Sequence, residues 1–311
     1  MKKVLYTALA LALMVGLAVP MATSVGASSA SPAWVQLETL TVDADGTVET
    51  SSTTLIDGWL YRFEASGTYS ADGYDADAEY ASTDSWATYT DSPSGDETLL
   101  ELQVDGGTVE WGAYNAGHVY KLDYTGGGST VDFQIYDTSY GDNSGSLSVK
   151  ILATPVMVST EITAGPATVE PFTEESWDIE ITVEARYAAV TGVIVQDGMG
   201  ADLDEIALST PTQGSATTEK RGKGRMGATM VIWNVGALGD GDTETLTVTV
   251  TTGWNNPGPK KAPKPDKKEF TSEEQDHELD GGASATYWYG DPAMEYESPE
   301  SEPETVDVEY D

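Results

Sequence analysis

The sequence predicts an all-β protein built as two β-sandwich domains, and three observations carry that prediction. Apolar and polar residues alternate at period two, as with Ile179, Ile181 and Val183 in residues 178–184 and Leu246, Val248 and Val250 in residues 244–252. Such alternation turns one face of a segment to a core and the other to water. Glycines and Asp-Gly pairs divide these runs at short intervals, the pattern of sandwiches and barrels. After the first thirty residues, no stretch keeps apolar residues at i, i+3 and i+4 between matching caps.

Taken in chain order, the first element is a leader. Lys2 and Lys3 precede an almost unbroken apolar run over residues 4–19, and small residues up to Ala30 follow. That layout predicts a signal peptide over residues 1–30, because the run is short for a membrane span. No second run of spanning length follows, so the exported chain is expected to have no membrane insertion. The remaining length, about 280 residues, suits two domains.

Residues 102–111 read as a hairpin turning at Asp105, Gly106 and Gly107, where positive φ is cheap for glycine. Pro155 follows a strand over residues 145–152 and marks the boundary between a first domain, 31–154, and a second, 155–311. The second is interrupted at residues 258–268 by five lysines and three prolines, an exposed loop because proline supplies no ladder donor. From Glu295 onward there are eight acids in seventeen residues, yet Val306, Val308 and Tyr310 alternate with Asp307 and Glu309. A closing edge strand is expected there.

The formal charge is −37, from 52 acidic and 15 basic residues, with no cysteine and only two histidines, His118 and His277. A surface of that sign repels nucleic acid and anionic lipid. It suits a protein kept soluble in high salt or one that collects divalent cations. The missing thiols exclude cysteine nucleophiles and thiolate metal sites. Gly141-Asp-Asn-Ser-Gly145 has a superficial likeness to a serine-protease segment, but His118 carries none of that family's surroundings. No nucleophile elbow, zinc helix or phosphate loop occurs. A carboxylate pair of the glycosidase kind is uninformative in a chain with 52 acids. The expectation is a protein that is not an enzyme.

The richest segment is residues 133–151, where two strands flank a loop holding Asp137, Asp142 and Asn143. Calcium takes six to eight oxygens from carboxylates, amides and carbonyls, which a tight polar loop supplies; as a bare pattern, Asp-Asn-Ser-Gly is also a hairpin turn. A second acidic group, Asp72, Asp75, Asp77 and Glu79, follows the strand at residues 60–69.

Ile-Tyr-Asp137, then Tyr140-Gly-Asp-Asn-Ser-Gly-Ser-Leu-Ser-Val-Lys-Ile151, resembles the metal loop of the calcium-dependent galactose-binding lectin family typified by PA-IL, and residues 58–69 are similar to an inner strand of it. The likeness spans most of residues 35–152. It implies a jelly-roll-like sandwich, one calcium ion, and a sugar whose hydroxyls coordinate that ion. Asp137, Asp142 and Asn143 would supply side-chain ligands, with main-chain carbonyls near Ala71 and Tyr140. Asp137, Asp142 and Tyr74 would face the bound ligand. The loop is two residues shorter than the family's, carries Asp142 where the family has asparagine, and lacks a match for its sugar-contacting histidine and glutamine. The resemblance thus implies calcium without implying galactose. Tyr74, Tyr80, Trp86 and Tyr89 either stack on a sugar or pack across strands.

The second domain resembles Ig-like repeats of bacterial and archaeal surface proteins. The residues that carry this are Val193-Ile-Val-Gln-Asp-Gly198, residues 231–241 and 246–252, Asn256-Pro-Gly258, Phe270-Thr-Ser272 and Glu278-Leu-Asp-Gly-Gly-Ala283. Trp233 would then be a core aromatic. The reading is a secreted, cell-surface or extracellular protein that binds a glycan or cell-surface polymer through calcium. The alternative is a non-catalytic structural component of the envelope or of an extracellular filament, with self-association.

Overall fold

The central strand of the first half, Ser144–Ala153, is gripped on both edges. Val35–Asp43 pairs antiparallel along one side; Leu60–Ser66 and then Tyr69–Ala71 pair along the other. These coordinates, a computed structural model, describe residues 32–71, 73–82, 86–88, 100–169, 174–200, 203, 205–221, 228–253 and 276–308. The expected leader, the lysine-proline loop 258–268, Asp72 and Tyr89 lie outside the described residues. The fold is all-β: the described residues contain no α-helix and one 3-10 turn, Tyr140–Asp142.

The sheet around Ser144–Ala153 has eight strands, and a second sheet of three comprises Glu49–Thr50, Asp132–Tyr136 and Glu101–Val104. Alternation puts Tyr61, Phe63 and Ala65 inward from the first sheet and Phe133 and Ile135 inward from the second, all fully buried. The rings of Phe63 and Phe133 meet edge-on at 5.0 Å. On the outer face, Arg62 grips Asp123 through two bonds of 2.6 and 2.9 Å. Glu64 stands between Lys150 at 2.6 Å and Lys121 at 3.8 Å. Arg62, Lys121 and Lys150 are all the basic residues between positions 32 and 154.

In the second half, a four-stranded sheet (Val156–Ala164, Glu174–Ala185, Thr243–Gly253, Glu205–Leu208) shares one apolar core with a five-stranded sheet (Ser215–Arg221, Ala228–Leu238, Val190–Met199, Asp280–Tyr289, Met294–Glu297). Trp177 and Trp233 are fully buried in it. Apolar burial therefore falls into two clusters within one compact unit, Ser31–Asp311; they change over between Ala153 and Val156, except that Ala33 packs with the second. Aromatic groups tie the changeover. The Trp59 indole N–H donates to the Thr154 carbonyl at 2.8 Å, and the Tyr61 and Tyr187 hydroxyls share a hydrogen bond of 2.6 Å.

Two expected elements differ. The turn at Asp105 and Gly106 forms, with φ of +52° and +70°, but its return arm makes only one bridge, Val104 to Gly107. Beyond it the chain is drawn away, because the Trp111 main-chain N–H donates to Glu79 Oε2 and its indole N–H to the Leu102 carbonyl, both at 2.8 Å. The tail strand, Thr305–Val308, is no edge: it runs between Thr168–Val169, in parallel, and Asp276–Glu278, antiparallel. Its alternation identified a strand but carried no information on how many neighbours it has.

Candidate functional site

Residues 137–143 join Asp132–Tyr136 of the three-stranded sheet to Ser144–Ala153 of the eight-stranded one. The segment is an arch between sheets, which corrects the hairpin that flanking strands and Asp-Asn-Ser-Gly suggest. Asp132–Tyr136 pairs with Glu49–Thr50 and Glu101–Val104, Ser144–Ala153 pairs with other strands, and the two lie in different sheets.

Local bonds fix the arch. The Asp137 N–H donates to the Tyr140 hydroxyl at 3.2 Å, the Ser139 N–H to Asp137 Oδ1 at 3.3 Å, and the Asn143 N–H to the Tyr140 carbonyl at 3.4 Å. The Tyr140 ring lies over Gly46, where φ is +82° and a Cβ would stand 2.7 Å from the ring, so glycine is required. Strand Tyr69–Ala71 packs against the turn, with Ser70 opposite Ser144 and Ala71 opposite Tyr74. The structure thus gathers Asp137, Tyr140 and Asn143 in one arch, with Ala71 and Tyr74 on the adjoining strands. Asp142 sits in the same turn and is exposed.

Two polar groups here are enclosed without hydrogen-bond partners among the described residues: the Asn143 side-chain amide, at both Oδ1 and Nδ2, and the Tyr69 hydroxyl. Such groups are rare in folded proteins and call for an explanation. Burial, followed by the charges of Asp137, Asp77 and Glu101, holds the Tyr69 hydroxyl well above the ordinary tyrosine range. Carboxylates from three segments therefore bear on one interior point, while every basic side chain of this half is engaged on the outer face. Among the described residues no three Asp, Glu or His side chains converge as metal ligands. A cation at the arch would draw on Asn143 and main-chain oxygens as well as carboxylate.

Beside the arch is a group that sequence reasoning missed. Asp77, fully buried, accepts the main-chain N–H groups of Glu79 and Tyr80 on Oδ1 at 3.0 and 2.8 Å. Its Oδ2 accepts His118 Nδ1–H and the Tyr120 hydroxyl, both at 2.8 Å. His118 adopts a φ of +51°. Its ring meets Trp86 at 4.5 Å, Trp86 stacks on Tyr114 at 5.6 Å, and Tyr80 meets Tyr114 edge-on at 5.7 Å. Tyr114 is 40% exposed, so this is an aromatic surface as well as packing. Asp77 and His118 were both visible in the sequence, but 41 residues separate them and no local pattern joins them. Nearby, burial pushes the Glu79 and Glu101 carboxyls above their ordinary value.

No helix among the described residues is long and apolar enough to cross a membrane. No protein-family model matches the chain. Over 125 residues, 40% of this chain and 41% of the other, it is 32% identical to an uncharacterized protein of Archaeoglobus fulgidus, and so spans about two fifths of that relative's length.

Proposed function

We propose that the chain is a secreted, non-catalytic cell-surface protein that binds carbohydrate, or adheres to a surface polymer, through calcium held at the Asp137–Asn143 arch. In this reading residues 31–154 are a jelly-roll-like, galactose-binding-type sandwich and residues 155–311 an Ig-like sandwich that presents it. The observation that carries the reading is the Asn143 amide, enclosed with neither polar atom bonded. Calcium would occupy Oδ1 together with Asp137, Asp142 and the carbonyls near Ala71 and Tyr140, and a ligand hydroxyl would accept from Nδ2. The Trp86, Tyr114 and His118 rings offer an apolar face of the kind that sugar rings cover. With the three local bases engaged elsewhere, counter-charge has to come from solution.

A glycan array probed with the mature chain in calcium and in chelator tests this directly. Calcium-dependent binding that Asp137→Ala abolishes is expected. Binding that is indifferent to calcium, or a blank array beside a melting curve unmoved by chelator, removes the proposal. One observation favours the structural alternative: Trp288, on the outer face of Asp280–Tyr289, is 44% exposed, an aromatic side chain that self-association would cover. A blank array with calcium-independent assembly is its signature.

A further inference from the structure

The second half holds an acidic pair in its interior. Along Val190–Met199 the inward row runs Val193, Val195, Asp197, Met199, and Asp197 is as completely buried as the valines. Among the described residues neither of its carboxylate oxygens has a hydrogen-bond donor. Asp280, on the neighbouring strand and also fully buried, is close enough for its charge to act on Asp197. Asp280 Oδ1 accepts the N–H groups of Gly282 at 2.8 Å and Glu304 at 3.3 Å.

The ladder between the two strands is broken at this point. Asp197 faces Ala283 and Met199 faces Asp280, so the second strand carries one extra residue, a bulge that takes main-chain groups out of regular pairing. Gly282 makes the bulge feasible: its φ is +93°, and a Cβ there would lie 2.5 Å from the Ser301 carbonyl. A bare carboxylate in an apolar row is strongly unfavourable, whereas a third valine would fit the alternation. Asp77 shows what this fold does with a buried aspartate that is structural: it surrounds it with donors.

We propose that Asp197 and Asp280 bind a calcium ion inside the second half, at the bulge between their strands, completed by main-chain carbonyls. Two carboxylates match the charge of a divalent ion. Full enclosure favours calcium over magnesium, which keeps part of its water shell. The ion would lock Val190–Met199 to Asp280–Tyr289 where their own hydrogen bonding lapses. This site is separate from the Asp137–Asn143 arch and stands or falls without it.

The experiment uses the full mature chain carrying Asp137→Ala, which disables the arch, with calcium chloride as the probe and magnesium chloride for comparison. Isothermal titration of the chelator-stripped protein is expected to give about one calcium per chain, with magnesium weaker. Adding Asp197→Asn should lower that affinity by about tenfold or more. Asp280→Asn serves as the second variant, because its amide oxygen still accepts from Gly282 and Glu304 while the charge is lost; near-UV dichroism checks that each variant is folded. The proposal is overturned if the Asp137→Ala chain takes up no calcium, or if either added substitution leaves its calcium affinity unchanged. Those results would leave the pair as buried acids that hold no ion, and neither would touch the reading of the arch, which is scored on the chain with Asp137 intact.

Discussion

Asp77 and Asp197 are the same side chain, each removed from solvent, in opposite halves of one molecule. Asp77 accepts four hydrogen bonds, two from main-chain N–H groups and two from His118 and Tyr120. Asp197 accepts none from the described residues. Burial, followed by the charge of Asp280, pushes Asp197 up to about 8. The difference separates two uses of a buried acid. One is complete within the polypeptide and organises a turn, a histidine and an aromatic surface. The other is left incomplete by the polypeptide.

The sharpest way to break this comparison is to remove Asp77. Asp77→Ala takes the acceptor from the buried Tyr120 hydroxyl and from three part-buried donors at Glu79, Tyr80 and His118, and equilibrium urea unfolding should show a loss of about 3–5 kcal/mol. A loss below about 1 kcal/mol would mean that the two aspartates are equivalent after all. Next in size is the effect of calcium on the intact chain. At a hundredfold excess over its dissociation constant, one site adds about 2.7 kcal/mol. That raises the melting temperature by a few degrees, and Asp137→Ala should remove the arch's share. Asp197→Asn should then do the opposite of Asp77→Ala. In chelator it should change stability by no more than about 1 kcal/mol, and in the stabilising direction, since it removes an uncompensated buried acid. A destabilisation as large as that at Asp77 would place Asp197 in a hydrogen-bonded network.

The smallest effect is in the pH profile. Burial holds Glu101 above its ordinary value of 4.5, partly offset by bonds from Thr108 and Gln103. A carboxyl held up in the native chain contributes most stability in acid, below the unfolded value. That contribution is lost as pH rises through the raised pKa. Unfolding free energy measured upward from about pH 4.5 should fall, and Glu101→Gln should flatten the fall. A profile that Glu101→Gln leaves unchanged would show that Glu101 titrates as it does in the unfolded chain.

Much of the fold was legible because period two is a direct image of burial. Ile179, Ile181 and Val183, and Leu246, Val248 and Val250, lie inward as their spacing predicts. The polar loop at 137–143 was equally plain as a loop. Its route between sheets was not, since pairing partners are chosen over long separations that alternation does not record. The same limit hid His118 beside Asp77. Asp197 is different. It stands in phase with Val193 and Val195, so an acid on the buried side of a strand was readable from spacing alone, provided every residue in the row is weighed and not only the apolar ones.

Strand Thr305–Val308 lies between two others, Thr168–Val169 and Asp276–Glu278. Proteolysis just ahead of Thr305 would open a slot roughly two strand spacings wide, about 10 Å, with unsatisfied main-chain groups on both walls. The strand best suited to fill it is the same segment from another copy. A nick there would thus make an acceptor without a donor: the cut chain could take up a strand from elsewhere but would have none of its own still attached to pass on.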